Sequence, residues 1–210
     1  MRGRFITFEG VDGAGKSSHL APFVARVREA GHEVVLSREP GGTALAESLR
    51  EILLAQAMPE LTELLLMFAA RADHLHAVIE PALARGAWVV CDRFTDSTLA
   101  YQGSGRGMDI TFIELLAARV HGHHNPDRTY LFDLDAASAQ ARRAQARTAD
   151  RFEQEALDFF DRVRAGYHAI ARREPQRFCV VDAAQSFDQV EANVVADFQH
   201  WYQSLPEAGR

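Results

Sequence analysis

Lysine occurs once in this chain, at Lys16, although lysine and arginine together number 23. A bias of that size is what genome composition produces, and it makes the one position that keeps an ammonium group stand out. Cysteine is nearly as scarce. Cys91 and Cys179 each sit inside an apolar run and read as reduced core residues, which excludes a disulfide scaffold and fits a cytoplasmic protein. No apolar run approaches the roughly 18 residues that a membrane-spanning helix needs. The first residues hold two arginines and run directly into Glu9 and Asp12, so no secretory signal is expected there. Excess positive charge is missing too: the formal net charge is −6, which argues against nucleic acid or an anionic membrane as partner. Repeats and low-complexity tracts are absent.

What remains is an ordinary globular composition, 47% hydrophobic and 25% charged over 210 residues. It is expected to form a single domain over residues 1–210 with its own core. Short apolar runs at 4–9, 33–37, 87–91, 128–132 and 177–181 have strand length. Helix-period stretches lie between them at about 16–30, 43–56, 60–85, 110–121, 152–173 and 186–203. Strands that alternate with helices and are apolar throughout imply an α/β fold: a five-stranded parallel sheet flanked by helices on both faces. One stretch breaks the pattern. Residues 136–149 are rich in Ala, Arg and Gln with few large apolar side chains, so they are expected to bury no face and to form a solvated helix or a mobile lid.

Directly after the first strand comes Gly10, Val11, Asp12, Gly13, Ala14, Gly15, Lys16 and Ser17, matching G-x-x-x-x-G-K-S/T in its strand–loop–helix setting. The glycines let successive backbone N–H groups converge on phosphate oxygens, and the helix N-terminus adds partial positive charge. Lys16 is suited to the β- and γ-phosphates and the Ser17 hydroxyl to Mg²⁺. The chain is therefore expected to be a P-loop NTPase. A carboxylate at a strand end completes such a metal site. Asp92, Asp133 and Asp182 all follow apolar runs, but only Asp92 is followed by an anion-binding residue, Arg93. With no second lysine, the guanine-reading Asn-Lys-x-Asp is absent, which removes the switch-GTPase class.

The set Phe8-Glu9-Gly10, Asp12-Gly13, Gly15-Lys16-Ser17, Arg38-Glu39-Pro40-Gly41-Gly42-Thr43, Phe68 to Arg71, Asp92-Arg93-Phe94, Ala100 to Gly103 and Pro126 to Asp133 strongly resembles the thymidylate kinase family, in order and at its spacing. The resemblance implies a homodimeric, nucleoside monophosphate kinase-like enzyme with a short lid at about 136–150. Its activity would be phosphorylation of dTMP to dTDP by ATP with Mg²⁺, in dTTP biosynthesis. It further implies that Gly10 to Ser18 cradle ATP, that Ser17 and Asp92 hold Mg²⁺, and that Arg93 and Arg38 hold the acceptor phosphate beside Glu39 and Pro40. Asp12 would accept from the sugar 3′-hydroxyl and orient Arg93. Phe68 and Arg71, three apart on one helix face, would stack on the pyrimidine and bond its carbonyl, although core packing of Phe68 is an alternative. Many family members place the aromatic at the position of Met67. Tyr101 would pack under the deoxyribose with Ser97 nearby, and Thr98 or Gln102 would contact the base.

The phosphate loop carries no arginine between its glycines, so further cations must come from elsewhere. Arg142, Arg143, Arg147 and Arg151 cluster in and after the atypical stretch, as in the bacterial variant of the family. One of the first three is expected to be the catalytic finger, with Arg151 anchoring the lid or contacting ATP phosphate. His121-Gly-His-His124 is expected to be a surface turn rather than a zinc site, since no cysteine or carboxylate pair lies at ligand spacing. Two alternatives share the phosphate loop: a phosphotransferase with another nucleotide or nucleoside acceptor, and a P-loop ATPase acting as a regulatory switch.

Overall fold

A computed structural model describes residues 2–146, 151–152 and 155–206. Among these, five parallel strands, β1 (Phe5–Glu9), β2 (Val34–Arg38), β3 (Trp88–Asp92), β4 (Arg128–Asp133) and β5 (Phe178–Asp182), pair in the order β2-β3-β1-β4-β5. The central strand β1 is buried along its whole length because helices cover both faces. Its side chains alternate with period two. Ile6 and Phe8 join Phe23, Tyr130 and Phe132 in one core, whereas Phe5 joins Leu75, Ile79 and Phe94 in the other.

The helices are α1 (Lys16–Glu29), α2 (Ala44–Ala55), α3 (Glu60–His74), α4 (Glu80–Ala84), α5 (Thr95–Thr98), α6 (Ile110–Val120), α7 (Ala136–Ala146), α8 (Leu157–Arg173) and α9 (Phe187–Ser204). Three differ from the sequence expectation. The helix expected over 60–85 widens into a π turn at Leu75–Ile79 between α3 and α4. That turn lies just ahead of Pro81, which has no N–H to continue the i→i−4 ladder. The helix expected from 152 begins only at Leu157. Residues 95–105, unassigned in the sequence reading, are helical: α5 runs into a π turn, Leu99–Gly105, packed against α8. Its Thr, Ser and Gly residues conceal the helical period.

α7 requires a correction as well. Ala136, Ala139 and Arg143 are buried, so this helix does bury a stripe. Alanine makes that possible, because a helix without bulk can bring its backbone close to a neighbouring loop. Arg147 lies outside the described residues. His121 is another correction: it is 5% exposed, not a surface residue, and its Nε2 pairs with Thr95 Oγ1 at 2.9 Å. Burial, with Arg71 adding, pushes its pKa down to about 4. Among the described residues no three His, Cys, Asp or Glu side chains converge as metal ligands. Cys91 and Cys179 are both free. No helix among the described residues is long and apolar enough to cross a membrane.

Strand register sets the site. Phe8 lies opposite Asp92 on β3, and Asp92 lies opposite Arg38 on β2. The chain segments that leave the C-terminal ends of β1, β2 and β3 therefore emerge side by side, which is where parallel α/β sheets bind ligands.

Candidate active site

The phosphate loop leaves β1 at Gly10 and ends where Gly15 opens α1. Gly10 (φ +134°) and Gly13 (φ +87°) both have backbone conformations that L-residues rarely adopt. They are also pressed by neighbours. A Cβ on Gly10 would sit 2.4 Å from the Phe132 carbonyl oxygen, and one on Gly13 would sit 2.4 Å from that of Ala139. The second contact is the docking of α7 on the loop, and Arg143 Nη1 completes it by donating to the Asp12 carbonyl at 2.7 Å. Val11 and Ala14 turn their side chains into the core, so what they offer at the loop is backbone alone.

Lys16 is 5% exposed and bonds its own loop, donating to the carbonyls of Gly10 at 2.9 Å and Val11 at 3.1 Å. Burial, with Arg93 adding, lowers its pKa to about 8 despite the neighbouring carboxylates.

Arg93 follows β3 in the left-handed region at φ +73°, an unusual conformation for a side chain of its size. The bonds on either side hold it there. Its N–H donates to Phe8 O at 3.0 Å, and the next N–H, of Phe94, donates to Glu9 Oε1 at 2.7 Å. The guanidinium donates to Asp12 Oδ1 at 2.8 Å, Ser97 Oγ at 2.9 Å and Tyr167 OH at 3.0 Å, and lies 5.1 Å from the Tyr101 ring centre. Tyr101 OH donates to Asp12 Oδ2 at 3.1 Å. Beneath this cluster Glu9 Oε2 accepts from Ser97 and Tyr167. Burial raises the Glu9 carboxyl well above the usual carboxylate range, with Asp96 adding and Arg93 opposing. For Asp12 the balance goes the other way. Burial alone would raise it, but Arg93 and Lys16 outweigh burial and hold it far below that range.

Two clefts open around this cluster. The first is lined by Asp12, Gly13, Gly15, Lys16, Ser17, Ser18, Arg38, Glu39, Arg50, Asp92, Arg93, Arg142 and Arg143. The second is lined by Asp12, Glu39, Pro40, Arg50, Leu54, Met67, Arg71, Arg93, Phe94, Ser97, Thr98, Tyr101, Gln102 and Phe152. They meet at Asp12, Glu39, Arg50 and Arg93. In the first cleft, which Ser17 also lines, Asp92 Oδ1 is buried with no hydrogen-bond partner. An orphaned carboxylate oxygen and a hydroxyl lining one cleft suit a hard divalent cation. In the second, Arg71 is held by Glu39 Oε2 at 2.7 Å and by Thr98 Oγ1 at 3.1 Å, and its Nη1 is buried without a partner. Glu39 also pairs with His74 Nδ1 at 3.0 Å. Burial would raise its pKa, but Arg71 and His74 together outweigh burial and lower it. Glu39 thus orients Arg71.

Most of the expected site residues line one cleft or the other. Phe68 packs in the core and carries the Arg71 guanidinium 5.0 Å from its ring centre, while Met67 lines the cleft in its place. Arg38 lines the phosphate-loop cleft, clasped by Glu47 at 2.8 Å. Arg151 points away from the phosphate loop, donating to Leu53 O at 3.1 Å and Glu63 Oε2 at 2.7 Å, so it is an anchor. Arg50, shared by both clefts and donating to Pro40 O at 3.0 Å, was missed, as were Tyr167 and Phe152. Nothing in the sequence singles out one arginine among many on an amphipathic helix, and a tyrosine arriving from a distant helix leaves no local pattern.

Comparison with known proteins points to one family. The thymidylate kinase family profile matches residues 8–194. A thymidylate kinase of Methylobacillus flagellatus is 55% identical over 195 residues, covering 93% of this chain and 96% of the relative. That of Alcanivorax borkumensis is 53% identical over 207 residues, covering 96% and 100%. The crystal structure of thymidylate kinase from Ehrlichia chaffeensis superposes with a TM-score of 0.77 at 37% identity, covering 95% of this chain and 100% of that one. The chain belongs to the thymidylate kinase family, whose members phosphorylate dTMP to dTDP using ATP.

Proposed function

We propose that the two clefts seat the two nucleotides end to end, ATP phosphates on the glycine loop and dTMP in the second cleft, with the transferring phosphoryl group at their junction. The observation that carries this reading is the shared wall of Asp12, Glu39, Arg50 and Arg93. Two guanidiniums at the junction suit a meeting of two polyanions. The acceptor oxygen belongs to a phosphate already anionic near neutral pH, so no general base is needed. The residues have to position two anions in line and shield their mutual repulsion.

In this reading the backbone of Gly10 to Ser18 receives the ATP phosphates. Lys16 exchanges its two loop carbonyls for phosphate oxygens. Arg93 and Arg50 hold the acceptor phosphate, with Arg38 closing the donor side. Ser17 and Asp92 would hold Mg²⁺, which would neutralise charge on the donor phosphates. Arg142, exposed on α7 and lining the loop cleft, is the better placed of the two described lid arginines to reach the transferring group, because Arg143 is already committed to Asp12 O and lies 4.2 Å from the Phe160 ring centre. The buried Nη1 of Arg71 is free to donate to a base carbonyl, and Tyr101 would floor the sugar.

Homodimerisation is part of the proposal. Leu45 and Ile52 on α2, Leu61 and Leu65 on α3, and Phe112 and Leu115 on α6 are exposed at i, i+3, i+4 or i+7 spacing, which sets each pair on one helix face. α3 packs against both α2 and α6, and an apolar face of this extent suits a second copy. The free thiols fit a reducing cytoplasm. An ADP-release assay across dTMP, dUMP, dCMP, dGMP and thymidine tests the acceptor, with dTMP expected to give the highest kcat/KM. Equal rates without an acceptor would support a plain ATPase instead.

A further inference from the structure

Glu63 on α3 is 1% exposed and lines neither cleft. Three donors nevertheless converge on it, two from the turn that holds Gln102 and ends at Arg106 and one from Arg151. Its Oε1 accepts from Gln102 Nε2 at 2.8 Å and from Arg106 Nε at 2.9 Å, and its Oε2 accepts from Arg151 Nη2 at 2.7 Å. Nothing in the phosphoryl transfer itself calls for a carboxylate here.

Gln102 lines the second cleft and is 1% exposed. Its amide has a donor end and an acceptor end, and what surrounds it decides which end faces where. Both Glu63 oxygens already accept from guanidiniums, and it is the amide nitrogen that faces Oε1. The carbonyl oxygen is the end left for the cleft. Thr98, one turn before Gln102, holds Arg71 Nη2, and Arg71 Nη1 is buried without a partner in the same cleft.

We propose that Glu63 is a positioning residue for base selection: it pins the Gln102 amide so that the cleft presents a carbonyl acceptor together with the free N–H of Arg71. That pair matches the ring N–H and adjacent carbonyl of thymine or uracil. It opposes cytosine, whose ring nitrogen is an acceptor and whose exocyclic group is a donor. Built hydrogen-bonding sites discriminate strongly because the wrong ligand leaves buried polar groups unpaired. The inference rests on the second cleft being the monophosphate site.

Glu63→Gln keeps the volume of the side chain but removes the acceptor-only character, so the Gln102 amide is free to turn over. The ratio of kcat/KM for dTMP to that for dCMP is expected to fall at least tenfold in Glu63→Gln, mostly through KM, while Glu63→Asp retains most of the ratio. In a Gln102→Ala background the Glu63→Gln change should leave the ratio unaltered, a coupling that general loosening of the fold would not produce. Thermal unfolding of each variant accompanies the kinetics. Should Glu63→Gln fold poorly, calorimetric binding of dTMP and dCMP to the Gln102→Ala and Glu63→Asp chains carries the test: loss of dTMP preference in the first and its retention in the second are required. A wild-type chain that prefers dTMP, with a Glu63→Gln ratio unchanged or altered equally in both backgrounds, overturns the role of Glu63 alone. A wild-type chain with no preference for dTMP over dCMP overturns the monophosphate reading of the cleft and this inference with it.

Discussion

Asp12 Oδ1 lies 2.8 Å from Arg93 Nη2, which joins an anion inside the phosphate loop to the cation at the end of β3 as one charged unit. The pair spans the junction of the two clefts, so a change at Asp12 should be felt at the acceptor phosphate through Arg93. Asp12→Asn is expected to lower kcat/KM for dTMP at least tenfold, about 1.4 kcal/mol. Asp12→Ala should cost more, because Tyr101 then also loses its acceptor. Steady-state kinetics at saturating ATP checks this; variants within twofold of wild type would show that Arg93 is held adequately without Asp12.

Lys16 offers a pH test. Burial lowers its pKa from the usual 10.5 to about 8, and triphosphate oxygens would raise it again. Between those pH values the free chain has lost a proton that the complex retains, so ATP binding takes one up. Affinity for ATP should be constant below about pH 8 and then fall by up to about tenfold per pH unit above it. Calorimetry at pH 7 to 10 in buffers of differing ionisation heat reads both affinity and proton uptake. Lys16→Met should bind weakly and without that slope.

The register of β1, β2 and β3 explains why so much of the site was legible in the sequence. Motifs at Gly10 to Ser17, Arg38 to Thr43 and Asp92-Arg93 each follow a strand, and parallel strands deliver their C-terminal ends to one edge. A strand-end motif therefore carries its own address. Arg50 and Tyr167 reach the site from helices α2 and α8, and Glu63 reaches Gln102 from α3; there the side chain's destination depends on how the helix packs, and one sequence does not encode that locally. Phe68 illustrates the same limit. Residues 67 and 68 are adjacent on a helix and differ by about 100° in direction, and only the packed structure decides which faces the cleft. The stripe of α7 was misread because two alanines and an arginine stem bury less area than the pattern rule expects.

The exposed faces of α2, α3 and α6 lead to an expectation about assembly. Leu65 and Leu115 are 47% and 56% exposed and belong to the apolar face assigned to the dimer. Leu65→Glu or Leu115→Glu would desolvate a charge if that face is covered by a second copy, and neither touches the site. Sedimentation should show the unaltered chain as a dimer and each variant as monomer at micromolar concentration. A variant that remains dimeric would place the interface elsewhere.

The arginines of α7 divide into two roles with different signatures. Arg143 is 8% exposed, donates to the Asp12 carbonyl and stacks on Phe160, so Arg143→Ala removes both a brace on the loop and a cation–π contact, the latter worth roughly 0.5–2 kcal/mol. Its melting temperature and its ATP affinity should both fall. Arg142 is exposed toward the loop cleft and, among the described residues, braces nothing comparable, so Arg142→Ala should leave the melting temperature unchanged and lower kcat at least tenfold, about 1.4 kcal/mol, with little effect on KM for either nucleotide. That split between an unchanged ground state and a lost transition state is the mark of a cation used only while charge is being transferred. Arg142→Lys should recover part of kcat, since a point charge replaces the fork. If Arg142→Ala and Arg147→Ala both turn over within tenfold of the wild type, neither supplies the missing cation, and Arg38 and Arg50 remain as the guanidiniums beside Arg93.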